Sequence, residues 1–164
     1  MSLYKYALKG NWTAAKRILE NNDVRLKHAA ITSGWSTLLH VAAGSNHSSF
    51  VEGLLQMLEV QDLSLQDNKG NTAFCFAVAS GNMRIAKLLI EKYSSLPYLP
   101  PLPTIRGGGG HIPIKFAVMQ GKCEMAWFLY NQISIPEFED RDKISLFFSC
   151  IKTGNHSKHL SFLT

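Results

Sequence analysis

The sequence predicts an all-α solenoid of about five helix-turn-helix repeats with short hairpin fingers, because one order of residues recurs along the chain. The three clearest copies are TLLHVAAGSNHSSFVEGLL from Thr37, TAFCFAVASGNMRIAKLLI from Thr72 and IPIKFAVMQGKCEMAWFLY from Ile112. Their spacing of 35 and then 40 residues is typical of stacked repeats. One helix pair cannot bury its apolar face alone, so we expect neighbouring copies to share a continuous core.

Within each copy, the order of small, apolar and turn residues predicts two helices joined by a tight turn. In the second copy, Phe74 and Ala77 belong to a first helix, where the small alanine lets a neighbouring helix approach. Gly81 marks the turn, and Leu89 and Ile90 close a second helix whose apolar residues recur at helical spacing. The equivalent residues of the other copies are Leu39, Ala42, Asn46, Leu54 and Leu55, and Ile114, Ala117, Gly121, Leu129 and Tyr130.

This pattern closely resembles the ankyrin repeat, whose consensus runs D-x-x-G-x-T-P-L-H-x-A-A before an apolar pair and a double leucine. The matching residues are Asp67, Gly70, Thr72, Ala77 and Gly81, and Thr37, Leu39, His40, Ala42 and Ala43. The resemblance implies that Thr37 and Thr72 start helices and bond locally to a histidine position. His40 fills that position in one copy, whereas Cys75 and Lys115 replace it in the others.

One copy departs from the consensus at its turn. Trp35 occupies the slot of the turn glycine. We expect this hairpin to be offset so that Gly34 takes the positive φ, which glycine adopts at little cost.

Two degenerate copies extend the array at its ends. LYKYALKGNWTAAKRIL near the start is interpreted as a capping repeat, and SLFFSCIKTGNHSKHLSFL from Ser145 as an incomplete one, with Phe147 and Cys150 at the apolar and small positions. The incomplete copy favours the interpretation that the chain is part of a longer protein. The expected division is 1–31 for the capping repeat, 32–66, 67–104 and 105–140 for three full repeats, and 141–164 for the incomplete repeat.

The segment SSLPYLPPLPTIRGGGG separates two copies and holds four of the six prolines. Proline fixes φ and removes a backbone donor, so we expect an extended loop packed on the edge of the repeats. A polyproline ligand is the alternative. Gly107 to Gly110 predict a fingertip rather than an anion site, because no lysine and hydroxyl follow as in a phosphate-binding loop.

Composition predicts an ordered chain without a membrane span. The 164 residues are 46% hydrophobic and 18% charged, and no apolar run approaches the roughly 18 residues of a spanning helix. The sequence shows no signal peptide, and three widely spaced cysteines are typical of a reducing compartment. The charge of +5 is spread along the chain, which favours solvated helix faces over binding of nucleic acid or an anionic membrane.

No group of residues predicts catalysis, a metal or a cofactor. His156 and His159 share a predicted helical face but lack a third ligand, so a solvated pair is favoured over a metal site. His40 and Cys75 lack an orienting third residue. A linker with solvated charges explains the acidic cluster of Glu137, Glu139, Asp140 and Asp142. The chain is therefore not expected to be an enzyme.

Several strings narrow the resemblance to plant ankyrin proteins that carry a PGG domain and transmembrane helices and are linked to cell death and salt tolerance. These strings are LYKYALKGNW, LQDNKGNTAFCFAVASGN, LPTIRGGGG and MAWFLY. The resemblance implies a cytoplasmic chain, at the cytosolic face of the plasma membrane, that binds proteins in stress or defence signalling. The PGG and transmembrane part is not present in this sequence. The alternative is a regulatory cap that self-associates, or joins membrane-anchored relatives, through an apolar end at Phe162 and Leu163.

Repeat offsets predict which side chains face a partner protein on the concave side. Trp35 and Met119 are expected to anchor apolar groups, Lys69 and Lys9 to attract acidic partners, and amides and hydroxyls to donate adaptable hydrogen bonds. Trp12 and Trp127 are expected to be packing residues of second helices. The predicted binding residues are Ser33, Trp35, Ser36, Asn68, Lys69, Asn71 and His111 in the fingers, and Lys9, Ser45, Ser80, Met119 and Gln120 on first helices. For Asn71 and Ser36, holding adjacent hairpins together is an equal alternative.

Overall fold

The computed structural model describes residues 2–21, 24–95, 100–132 and 139–152. This part of the chain folds into α-helices and short 3-10 turns, with one isolated antiparallel bridge between Gln66 and Thr72. The predicted all-α solenoid is confirmed. The α-helices are α1 (Leu3–Lys9), α2 (Trp12–Asn21), α3 (Leu38–Gly44), α4 (Ser48–Leu55), α5 (Ala73–Ser80), α6 (Met83–Tyr93), α7 (Pro113–Met119), α8 (Cys123–Tyr130) and α9 (Asp140–Lys152).

The helices stack in two layers. The first helices of the repeats, α1, α3, α5 and α7, contact one another in order, and α9 continues that layer by packing on α7. The second helices α2, α4 and α6 also contact one another in order. Ala42, Ala77 and Ala117 are fully buried in the first layer, where a larger side chain would separate the helices. The core between the layers includes Phe50 and Phe74, which are also fully buried.

Trp12 joins α2 to α4 through a close approach. Its indole packs edge-to-face on Phe50 with ring centroids 5.2 Å apart, so the expectation that Trp12 is a packing residue is confirmed. The indole also lies against the backbone of Gly53 in the middle of α4. Trp127 was also expected to be a packing residue, but it is 40% exposed on α8, where it stacks on Tyr130.

The described part of the Pro-rich segment packs on the edge of the repeats. Residues 96–99 lie outside the described residues. A 3-10 turn follows at Leu102–Thr104, and both Leu102 and Pro103 are buried. Beyond it, a turn of glycine residues at Gly108–Gly110 forms a fingertip, as the sequence predicts.

The incomplete C-terminal copy differs from its predicted register. Helix α9 begins at Asp140, and Leu146 is buried where Phe147 was expected. Phe147 is instead 43% exposed. The physical reason lies in the first turn of α9, where one acidic side chain is buried in an ion pair and so determines how the helix sits.

That ion pair joins α9 to the finger before α7. The Arg106 guanidinium donates to both carboxylate oxygens of Asp142, from Nη1 at 3.0 Å and from Nη2 at 2.8 Å, and also to Glu139 at 2.9 Å. These hydrogen bonds hold the pKa of Asp142 below its usual value. Asp142 is only 6% exposed, so the expectation of a linker with solvated charges is wrong for this residue.

Replacing Asp142 by Asn is expected to destabilise the protein by about 2 kcal/mol, because a hydrogen-bonded charge pair is broken. The folded pKa of Asp142 is lowered, so its contribution to stability is complete above the unfolded value of 3.8 and is lost as the pH falls below it. Urea unfolding followed by circular dichroism at several pH values measures both effects. Asp140→Asn is the matched control, because the Asp140 side chain is 94% exposed. Equal losses in the two variants would contradict the prediction.

Candidate functional site

Three hairpin turns precede α3, α5 and α7, and together with the first helices they form the surface that the sequence predicts to be concave. We call them finger 1 (31–36), finger 2 (66–71) and finger 3 (106–111). In each finger a backbone N–H donates to the carbonyl oxygen three residues earlier at 3.0 Å. The donors and acceptors are Trp35 and Thr32, Gly70 and Asp67, and Gly110 and Gly107. All three fingers therefore share one register.

Neighbouring fingers are bonded to one another at their tips. The Asn68 N–H of finger 2 donates to the Gly34 carbonyl oxygen of finger 1 at 2.9 Å. The Gly108 N–H of finger 3 donates to the side-chain oxygen of Asn71 at 2.8 Å. The exposed residues of the tips, Trp35 and Lys69 among them, therefore belong to one continuous strip.

Trp35 adopts a backbone conformation that tryptophan rarely takes. Its φ is +62°, in the position where finger 2 has Gly70 at +83°. The expected offset to Gly34 is wrong, because Trp35 donates the turn-closing hydrogen bond and the shared register is preserved. A left-handed φ costs a residue with a Cβ roughly 1–2 kcal/mol. Trp35 is also 64% exposed, so burial of its indole does not offset this cost.

Replacing Trp35 by Gly is expected to stabilise the fold by about 1 kcal/mol, since glycine adopts the same φ without strain. The midpoint of urea unfolding should rise, with an unchanged far-ultraviolet spectrum. Trp35→Ala is the control, because it removes the indole but keeps the Cβ and its strain. A loss of stability in the glycine variant would show that the indole supports the fold.

His40 links the start of α3 to finger 2. Its Nδ1 accepts from the Thr37 N–H at 3.2 Å, so its Nε2 carries the proton that is donated to the Asn71 carbonyl oxygen at 3.0 Å. Burial lowers the pKa of His40, which is consistent with this neutral tautomer. In the next copy the Thr72 hydroxyl accepts from the Cys75 N–H at 3.4 Å. Thr37 and Thr72 therefore cap α3 and α5, as the resemblance implies.

An open cleft of about 350 Å³ lies on the concave side between α1, α3 and finger 1. Tyr4 and Leu8 of α1 form one wall, and Val41 of α3 and Phe76 of α5 form the other. Tyr4 is 39% exposed and Leu8 46% exposed. Val41 and Phe76 lie at the same offset from Thr37 and Thr72, a signal in the repeat register that the sequence prediction did not use.

The predicted binding residues divide by their contacts. Seven are exposed, and the partly buried ones include Ser36, whose N–H donates to the Thr32 hydroxyl at 3.0 Å within finger 1. Asn71 accepts from finger 3 as described, and the Ser80 hydroxyl donates to the Ala77 carbonyl oxygen at 2.8 Å. The exposed residues are Lys9, Ser33, Trp35, Asn68, Lys69, Met119 and Gln120, and the partly buried ones are Ser36, Ser45, Asn71, Ser80 and His111.

His111 and Lys115 lie together at the base of finger 3. The Lys115 ammonium is 3.1 Å from Nε2 of His111 and 3.2 Å from its Nδ1. Burial lowers the pKa of His111, and the Lys115 charge lowers it further. The imidazole is therefore neutral near pH 7, and the positive charge here belongs to Lys115.

The described residues contain no group of three or more His, Cys, Asp or Glu side chains that would hold a metal. Burial raises the pKa of the Cys75 thiol, which keeps it in the unreactive thiol form. Both ring nitrogens of His40 are engaged by Thr37 and Asn71. His156, His159, Phe162 and Leu163 lie outside the described residues. No helix of the described part is long and apolar enough to cross a membrane.

Comparison with known proteins supports the fold and the repeat assignment. A family model described as ankyrin repeats, three copies, matches residues 3–97. One similar solved structure is the crystal structure of the yeast ribosomal protein Rps3 in complex with its chaperone Yar1. A chain of that complex superposes with a TM-score of 0.72 at 26% identity, over 84% of this chain and 94% of that one. No curated protein matches.

Proposed function

We propose that this chain, which belongs to the ankyrin repeat family, is a non-enzymatic module that binds a protein through the concave surface of its fingers and first helices. The observation that carries the proposal is Trp35, whose large exposed indole is held in a strained turn. Lys69 is exposed on the neighbouring finger, and Thr32 and Ser36 of the same finger as Trp35 line the cleft. A rigid aromatic next to charged and apolar contacts is typical of a binding hot spot.

The similar solved structure supports a protein as the class of partner. It holds a ribosomal protein in complex with its chaperone. By analogy, we propose that this chain binds a protein client or scaffold partner. The chemistry of that partner is set by this chain's own exposed residues.

The test combines Trp35→Ala with Lys69→Glu. Used as bait in an extract, the double variant is expected to retain at least about thirtyfold less of the partner that the unchanged chain captures, the loss expected at a hot spot. Circular dichroism should show an unchanged helical signal. The partner is identified by mass spectrometry and its affinity then measured by calorimetry with the purified proteins.

The matched control is Trp127→Ala with Lys87→Glu. Both residues are exposed on second helices, so this pair removes the same groups and the same charge from the other layer. We expect the control to bind normally. Equal affinity of the concave variant and the unchanged chain would overturn the proposed surface.

Self-association is a second candidate, favoured by an apolar stripe on α9. Ile144 is 58% exposed and Phe148 64% exposed, and Phe147 and Ile151 lie on the same helical face. A second copy packing its α9 against this stripe would cover it. Light scattering decides, because a monomer at high protein concentration contradicts this candidate.

The cellular setting stays a prediction from the resemblance to plant membrane-anchored ankyrin proteins. We propose a cytoplasmic location at the cytosolic face of the plasma membrane and a role in stress or defence signalling. Imaging of a fluorescent fusion tests the location, and a purely nuclear or secreted signal would contradict it.

A further inference from the structure

Charge is segregated on the concave surface of this chain. The first helices α1, α3, α5 and α7 contain no Asp or Glu. The three fingers contain a single acid, Asp67, which is 8% exposed and accepts hydrogen bonds from the backbone N–H groups of Lys69 at 2.9 Å and Asn71 at 2.8 Å. The exposed charges of this surface are therefore positive, and they include Lys5, Lys9 and Lys69.

The net charge of the chain does not explain this segregation. Each of the second helices α2, α4, α6 and α8 carries an exposed acid. These residues are Glu20, Glu52, Glu91 and Glu124. Second helices carry cations too, for example Lys16 beside Glu20 and Arg84 bonded to Glu52. The second helices therefore carry mixed charge, whereas α1, α3, α5, α7 and the fingers expose only positive charge; the acids Asp140 and Asp142 of the first layer lie on α9, at its far end. One sign of charge over this part of the surface indicates a partner of opposite sign.

The cleft is formed by α1, α3, α5 and finger 1 of this surface, and its walls combine the apolar side chains described above with the polar Thr32, Ser36 and Ser45. Tyr4 and Leu8 line the cleft, and each is followed directly in α1 by an exposed lysine, Lys5 or Lys9. Because Tyr4 and Leu8 are well exposed, a partner that covered them would gain apolar burial. The volume of about 350 Å³ accommodates a large apolar side chain.

We propose that the partner presents an acidic peptide segment with an aromatic or leucine anchor, the anchor entering the cleft while carboxylates approach Lys5, Lys9 and Lys69. This inference rests on the proposed function and names the chemistry of its partner. Nucleic acid is less well matched, because arginine is the side chain best suited to phosphate and base contacts. Arg106, the one arginine of the fingers and first helices, is held by Asp142 and Glu139.

The test begins with random peptides displayed on phage and selected on the full chain at low salt. We expect the enriched peptides to be negatively charged around one aromatic or leucine residue. Neutral or basic consensus peptides would overturn the inference. No enrichment would overturn it too, since an open cleft of this chemistry should retain such sequences.

A fluorescent copy of an enriched peptide then measures affinity by anisotropy. Leu8→Glu is expected to weaken binding by about thirtyfold, as for loss of an interface anchor. Lys5→Glu with Lys9→Glu is expected to weaken it by about tenfold and to reduce its salt dependence. The matched control, Lys16→Glu with Arg17→Glu, makes the same charge change on α2 and should leave affinity within about twofold. Equal losses of affinity in the two charge variants would show that binding depends only on the net charge of the chain, and would overturn the inference.

A single-stranded RNA oligonucleotide is the second probe. Tighter binding of RNA than of the peptide, with the same dependence on Lys5 and Lys9, would overturn the inference in favour of nucleic acid. The partner captured through Trp35 and Lys69 separates the two proposals. If neither Leu8→Glu nor Lys5→Glu with Lys9→Glu changes the affinity for this partner, the inference fails while the proposed function stands. If Trp35→Ala with Lys69→Glu does not change that affinity, the proposed function itself fails.

Discussion

His40→Ala is expected to lower the free energy of unfolding by about 3 kcal/mol. The substitution removes the acceptor of the Thr37 N–H and the donor to the Asn71 carbonyl oxygen, and so breaks the bond between α3 and finger 2. It also removes the edge-to-face contact of the imidazole with Phe76, whose ring centroid is 5.6 Å away. Urea unfolding followed by circular dichroism at pH 7 gives the value.

The control for His40 is His28→Ala, because the His28 side chain is 44% exposed and lies 3.9 Å from Asp62. We expect it to change stability by no more than about 0.5 kcal/mol. If His40→Ala lowered the free energy of unfolding as little as His28→Ala does, the link from α3 to finger 2 would contribute little to stability.

His40 also predicts a direction of pH dependence. Burial lowers its folded pKa below the unfolded value of 6.5, so the unfolded chain binds the proton more readily. The stability contributed by neutral His40 is complete above that value and is lost as the pH falls from it to the folded pKa. We expect stability to decline less steeply with acidification in His40→Ala, and an unchanged slope would contradict the neutral tautomer.

The sequence could predict the helices whose residues obey the repeat offsets. Thr37 and Thr72 cap α3 and α5 as expected, because an N-cap threonine acts on backbone groups within three residues of itself. The alanines at Ala42, Ala77 and Ala117 mark the close packing of first helices for the same local reason. Local rules therefore predict the architecture of the array.

The features that differ from the sequence prediction come from interactions between residues that are far apart in the sequence. The register of finger 1 is shared with fingers 2 and 3, and the bond from Asn68 to Gly34 links their tips. That shared register prevails over the preference of glycine for a positive φ, so Trp35 adopts it instead. The first turn of α9 depends on Arg106, which is far from Asp142 in the sequence, and no periodicity reveals such a pair.

The candidate site could be predicted only in part, because the cleft also depends on residues that are far apart in the sequence. Trp35, Lys69 and Met119, which the repeat offsets place in the fingers and on a first helix, are exposed, and their role in binding stays a prediction. The cleft needs residues of three first helices at once, since Leu8, Val41 and Phe76 belong to α1, α3 and α5. The shape of the cleft depends on how those helices stack, and the sequence of a single repeat holds no information about that stacking.

Gly53→Ala is expected to destabilise the protein by about 2 kcal/mol, the opposite of the usual effect in a helix interior. A methyl group on Gly53 would lie 2.8 Å from the Cζ2 atom of Trp12 and closer still to other atoms of its indole. The indole would have to leave its edge-to-face contact with Phe50, so α2 would lose packing on α4.

The cause is tested by repeating Gly53→Ala in a Trp12→Ala background. Without the indole the three closest contacts of the methyl group are removed, and alanine should stabilise α4 by up to about 1 kcal/mol through its higher helix propensity. Urea unfolding of the four proteins completes a double-mutant cycle, and we expect a coupling energy of about 3 kcal/mol between the two positions, at the upper end for residues in contact. If Gly53→Ala has the same effect in both backgrounds, the contact between Trp12 and α4 does not determine how these second helices pack.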